Sequence, residues 1–162
     1  EKSPEEIVQE KLVRQGEIHI EREEFHSAEY EFKNTLKLDE NNVKANFGLG
    51  QSFSGQGRTE EAHEVFAKLR DNEDLYKEEN KHTFNELGIA FRREEMYDDA
   101  VKNYHRAIQL DPNDPILYYN ISLALYHSGQ MAAARKFLTS SIELDEGFED
   151  ALKLMELVEK NS

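Results

Sequence analysis

The 162-residue chain has no cysteine, which removes disulfides, thiolate catalysis and sulfur-ligated metal sites together. No apolar run approaches the roughly 20 residues that a membrane-spanning helix needs, and no signal-peptide core is visible. No membrane is therefore expected as a partner, and the expected compartment is the cytoplasm. Basic residues are scarce: 20 Lys and Arg stand against 34 Asp and Glu, for a formal net charge of −14. That balance disfavours attraction to nucleic-acid phosphates, steers basic partners in, and at its plainest keeps the chain soluble. Site chemistry is missing as well. The histidines include no pair four apart on a helix and no His-Glu-x-x-His run. Gly48, Gly50, Gly55 and Gly57 fit close helix packing and a turn rather than a phosphate loop. The chain is expected to be no enzyme, with no catalytic residue, no metal and no cofactor.

What is present is periodicity. Hydrophobic residues make up 38% and charged ones 33%, polar for a globule but natural for a thin stack of helices with much surface per residue. The segment Lys81 to Asp114 shows the pattern most plainly. Phe84, Leu87, Gly88 and Phe91 recur at three- and four-residue steps, and so do Ala100, Tyr104, Ala107 and Ile108 after the polar turn Glu95 to Asp98. Proline in Asp111-Pro112-Asn113-Asp114-Pro115 then stops the second helix. Neither stripe can be buried alone. Paired antiparallel they can be, with Gly88 and Ala100 allowing close approach of the backbones.

The spacing of Phe84, Leu87, Gly88, Phe91, Ala100, Tyr104, Ala107 and Pro112 resembles the tetratricopeptide repeat, with phenylalanine in the opening slot that often holds tryptophan. Looser copies lie on both sides: Tyr118, Ile121, Ser122, Leu125, Ala134, Leu138 and Ser141 downstream, Leu49, Gly50, Phe53, Ala62 and Phe66 upstream. The earliest copy keeps Leu12, Gly16, Ala28, Phe32 and Leu36, with Gln15 and His19 in slots that favour leucine and an aromatic. His19 reads as a packing histidine rather than a switch. The resemblance implies an all-α fold: a right-handed superhelical solenoid of antiparallel helix pairs, four repeats at about 9–42, 43–80, 81–114 and 115–148, and a capping helix at about 149–160 that hides the last open face. Residues 1–162 are then a single domain. A chain that starts at Glu1 reads as an excised or processed piece.

The helix limits follow from local signals. Ser3-Pro4-Glu5-Glu6 is a capping box that starts a helix running to about Ile20. Further helices are expected at about Phe25–Leu38, Val43–Ser54, Thr59–Leu69, Lys81–Arg93, Tyr97–Leu110, Pro115–Ser128, Met131–Leu144 and Gly147–Lys160. Between Arg70 and Asn80 four extra residues break the period, about one helical turn, and Leu75 and Tyr76 on it either pack or form a small contact patch.

In the family that this chain resembles, the first helix of each repeat lines a concave side. The i, i+4, i+7 stripes there hold Val13, Glu17 and Ile20; Phe47, Gln51 and Ser54; Asn85, Ile89 and Arg92; Tyr119, Leu123 and Tyr126. The resemblance implies a non-catalytic scaffold that binds a peptide or helical segment of another protein in this groove. The candidate residues are Phe47, Gln51, Asn85, Ile89, Arg92, Tyr119, Asn120, Leu123 and Tyr126, a mixture of rigid aromatics and polar tips common at hot spots. The same apolar groups could instead seal one repeat against the next. Arg92 and Arg93 are followed by Glu94 and Glu95, which suggests surface pairing. Some family members clamp an acidic C-terminus with lysines, asparagines and an arginine, but the matching slots here hold Val13, Glu17, Gly48, His82 and Glu86, or Phe47, Gln51, Glu86, Ile116 and Asn120. That clamp is missing. The alternative function is an assembly or dimerisation module of a larger regulatory or secretion protein, which would self-associate through its ends or convex side.

Overall fold

In a computed structural model, which describes residues 1–72 and 81–162, every regular element among the described residues is an α-helix. The first is set by its capping box: Glu6 N donates to Ser3 Oγ at 3.2 Å, Ser3 N donates to Glu6 Oε2 at 2.7 Å, and Pro4 takes the first helical position. This is α1, Pro4–Glu21; α2 is Phe25–Leu38, α3 Val43–Gly55 and α4 Thr59–Asp71. After the undescribed segment come α5 (Lys81–Arg93), α6 (Tyr97–Leu110), α7 (Pro115–His127), α8 (Met131–Leu144) and α9 (Glu149–Lys160). These limits agree with the sequence signals to within about two residues. α4 continues to Asp71 rather than Leu69, and Leu75 and Tyr76 lie outside the described residues.

The helices divide into two compact units, α1–α4 and α5–α9. In the first unit, Phe32 on α2 is fully buried under two glycines: a Cβ on Gly16 of α1 would come within 2.6 Å of its ring, and one on Gly48 of α3 within 2.1 Å. One aromatic ring thus fixes three helices. Phe66 on α4 fills the same place beneath Gly50. Outside this core, Glu29 on α2 accepts hydrogen bonds from Gln56 and from Arg58 Nη1, both at 2.8 Å, and from Lys33. Burial alone would push its carboxyl up, but the bonds from Lys33 and Gln56 and the charges of Lys33 and Arg58 hold it below the usual range. His19 on α1 is half-buried, with Nδ1 3.0 Å from Glu24 Oε2.

In the second unit, Tyr104 on α6 is fully buried beneath Gly88 of α5, where a Cβ would meet its ring at 2.5 Å. One repeat later the same register positions hold Ser122 and Leu138, both fully buried. Lys81, opening α5, pairs with Asp111 at 2.5 Å and Asp114 at 3.3 Å, which ties it to the turn before α7. α9 packs on α7 and α8 and buries Ala151, Leu154 and Val158, so the terminal helix does cover the last pair.

The turns repeat as regularly as the core. Between the two helices of successive pairs stand Glu23, Gly57, Glu95 and Gly129, with φ of 59°, 75°, 60° and 81°. Two of the four left-handed positions thus lack the glycine that fits them best. After the second helices, Asp39, Asp111 and Asp145 each accept from the backbone N–H two residues on, at 3.0, 3.2 and 3.2 Å. Aspartate suits such turns because its short side chain bonds the main chain two residues on.

Candidate functional site

The stripes on the first helices differ between the two units. In the first, Val13 on α1 is 5% exposed and Phe47 on α3 is 6% exposed, its ring centroid 6.2 Å from that of Phe66. Gln51 and Ser54 are half-buried. The open depression beside them is polar, lined by Glu6, Glu10, Arg14, Glu17 and Lys44 among others. The expected candidate Phe47 therefore sits inside the packing of its own unit.

In the second unit the stripe is partly open. Asn85, Ile89 and Arg92 on α5 are half-buried, as are Tyr119, Leu123 and Tyr126 on α7, while Asn120 is 8% exposed. Asn120 Nδ2 donates to Asn85 Oδ1 at 2.9 Å, which links the two helices through side-chain amides. The Tyr119 ring stands edge-on to Phe148, with centroids 5.1 Å apart. The Tyr126 ring meets His127 edge-on at 5.4 Å, and His127 stacks on Tyr97 at 6.1 Å. Both tyrosines are thus held by aromatic neighbours, which limits the rotamer entropy lost when a ligand is bound. Burial pushes the Tyr119 hydroxyl up, the charge of Asp150 adds to this, and that of Arg92 opposes it.

Arg92 is the anomaly on this face. The expected pairing with a neighbouring glutamate is not found: among the described residues no carboxylate pairs with it. Its Nε is buried without an acceptor. The Tyr104 hydroxyl is also buried: burial pushes it up, opposed by a hydrogen bond with Arg92 and by the charges of Arg92 and Arg93. The guanidinium is so placed that its charge reaches both Tyr104 beneath and Tyr119 beside it.

Phe148 and Asp150 are the site residues that the sequence pattern missed. They stand at the start of α9 and reach Tyr119 from about 30 positions along the chain, beyond any single-helix stripe. Among the described residues no group of three or more His, Asp and Glu side chains could hold a metal ion, and no helix is long and apolar enough to cross a membrane.

Models of the tetratricopeptide repeat match residues 13–75 and 116–148, and one described as TPR repeat matches residues 88–129. Among curated proteins the chain is similar to the TPR repeat-containing thioredoxin TTL4 of Arabidopsis thaliana, at 28% identity over 104 residues; this stretch is 64% of the chain and 14% of that relative. Among solved structures it is similar to PilF of Pseudomonas aeruginosa (TM-score 0.70, 17% identity, 96% of this chain and 69% of that one). It is also similar to the MamA protein (TM-score 0.63, 23% identity, 95% and 82%) and to YrrB (TM-score 0.58, 23% identity, 93% and 77%).

Proposed function

The chain belongs to the tetratricopeptide-repeat family, and from that premise we propose that it is a non-catalytic scaffold binding a peptide or helical segment of another protein on the open stripe of its first helices. The observation that carries this reading is the contrast within the molecule. Val13 and Phe47 are spent on packing, whereas Ile89, Tyr119, Leu123 and Tyr126 keep part of their surface in water despite their apolar character. Partly open aromatics beside Asn85 and Arg92 are what a binding hot spot requires. Gln51, half-buried on α3, is a candidate within the first unit. Of the structural relatives, YrrB is described as a TPR protein with an unusual peptide-binding site, which lends support by analogy of fold. The cytoplasm is the compartment that we propose, and residues 1–162 are taken as one domain of four repeats.

A second reading is favoured by a separate observation. Ile7 and Val8 near the start of α1 are 56% and 46% exposed, and Leu152 and Leu157 on α9 are 42% and 45% exposed. Apolar ends of this kind suit assembly or dimerisation of a larger protein. Light scattering across a concentration series tests the choice. A monomer whose Tyr119→Ala variant loses a partner supports the scaffold, whereas a dimer dispersed by Ile7→Glu or Leu157→Glu, and indifferent to Tyr119→Ala, supports assembly.

A further inference from the structure

We propose that the outer face of α1 docks on the open face of α9 of a second copy of the chain, so that Lys11 and Arg14 of one copy meet Glu156 and Glu159 of the next. This rests on the assembly reading and names its partner, and it does not involve the open stripe of α5 and α7. α1 supplies the basic face. At about 100° per residue, Ile7, Lys11, Arg14 and Ile18 all lie within roughly 40° of the side opposite the buried Gly16. All four are exposed, the two isoleucines by 56% and 39%. In a chain of net charge −14, Lys11 and Arg14 stand at the centre of this stripe, and neither pairs with a carboxylate among the described residues.

α9 supplies the acidic face. One repeat after Tyr118, Ser122 and Leu125 on α7, the register reaches Leu152, Glu156 and Glu159. Ser122 and Leu125 are buried, whereas all three residues on α9 are exposed, Leu152 by 42%. Glu156 holds the place of Gly16, Gly50 and Gly88, each of which packs against an aromatic ring of a second helix. A glutamate leaves no room for such a ring, so a helix that covers this face has to bring a cation to the carboxylate. The spacing then matches the two faces. Ile7, Lys11 and Arg14 are four and then three residues apart, as are Leu152, Glu156 and Glu159. Laid side by side in the same direction, the helices place isoleucine on leucine and each cation on a carboxylate. In the opposite direction the cations still find glutamates, but Glu21 falls against Glu149. Pairing α1 with α1 opposes cations, and pairing α9 with α9 brings carboxylates together, so the charges select the contact between unlike faces over either symmetric dimer.

The test is light scattering of the intact chain over a concentration series, at low and at high salt. The wild type should gain mass with concentration and lose that gain in about 1 M salt, where screening acts within roughly 3 Å. Lys11→Glu with Arg14→Glu sets like charges across the contact and should weaken self-association at least about tenfold, and so should Glu156→Lys with Glu159→Arg. Mixing these two proteins, or placing all four substitutions in one chain, should restore it. Lys102→Glu with Lys136→Glu, exposed on α6 and α8, changes the net charge as the first pair does and should leave the mass as in the wild type. A melting curve for each variant separates a lost contact from a lost fold. Self-association that is indifferent to both reversals, or that combining them does not restore, overturns this inference and leaves the assembly reading standing. A monomer at every concentration overturns both.

Discussion

The close fit of Gly88 over Tyr104 permits a double-mutant cycle copied from the molecule itself. Gly88 and Tyr104 in one repeat correspond in register to Ser122 and Leu138 in the next, so the chain already holds a second solution to the same packing problem. A Cβ on Gly88 would stand 2.5 Å from Tyr104 Cε1 and 2.6 Å from Cδ1, where roughly 3.5 to 4.0 Å is favourable. Gly88→Ser should therefore overpack by about 1 to 3 kcal/mol, offset by the few tenths that serine gains over glycine in a helix. Its hydroxyl has an outlet, since Ser122 Oγ donates to the Tyr118 carbonyl oxygen at 2.6 Å. Tyr104→Leu should cost about 1 to 3 kcal/mol through the space it empties. Together the serine enters the vacated space, and the double variant should lose at least about 1 kcal/mol less than the sum of the two. Urea unfolding followed by circular dichroism measures all four proteins. Additivity within about 0.3 kcal/mol, or a Gly88→Ser protein as stable as the wild type, would refute the assigned register.

Two other expectations follow from the turns and the ion pairs. Glu23→Gly and Glu95→Gly relieve residues at φ of 59° and 60°, so each should raise stability by about 0.5 to 1 kcal/mol in the same urea assay; a loss in both would contradict the strain argument. Hydrogen bonds from Lys81 and from Asn113 N hold the Asp111 carboxyl below its ordinary 3.8, and the hydrogen bond to Asp111 raises Lys81 above its ordinary 10.5. The Asp111 contribution is present above pH 3.8 and vanishes as the pH falls through its lower folded value; that of Lys81 is present below pH 10.5 and vanishes as the pH rises through its higher one. The stability difference between the wild type and Lys81→Gln should thus be flat across neutral pH and close at both extremes. A gap that opens or closes near pH 7 would exclude this pair as its source.

Most of the fold was legible because each element carries both periodicity and punctuation. Ser3 with Glu6 is a cap read from residue type, and Ser3 accepts the Glu6 backbone N–H in the structure; Asn42 before α3 and Asp114 before α7 accept a backbone N–H as well. The left-handed glutamates were not legible, because glutamate has no preference for positive φ and tertiary packing imposes it. The candidate face was legible as a set of positions and less so as a surface. Phe47 and Tyr119 occupy the same slot in their helices, yet the first is packed beside Phe66 and the second stays partly open beside Phe148. An apolar residue beside a packing stripe looks alike in either setting. Contacts from α9 also come from outside the stripe, so no spacing along α7 announces them. Arg92 was misread for a related reason: the helix ends at Arg93 and Glu95 takes a left-handed backbone, so nearness in sequence to Glu94 and Glu95 did not become a pair with Arg92.

The central claim is that the open stripe in the second unit binds, and that it does more than seal helices. Its most direct test is the equilibrium affinity of the tightest peptide selected from a phage-displayed random library for the wild type, Tyr119→Ala, Tyr126→Ala and an α8 control, Lys136→Ala, with a melting curve for each. Truncating an anchor should cost about 2 kcal/mol, roughly thirtyfold in Kd, while the folded chain survives and the control binds as the wild type. If both tyrosine variants bind within about twofold of the wild type while folded, or lose affinity only in proportion to a lost fold, the stripe is packing and the claim is wrong.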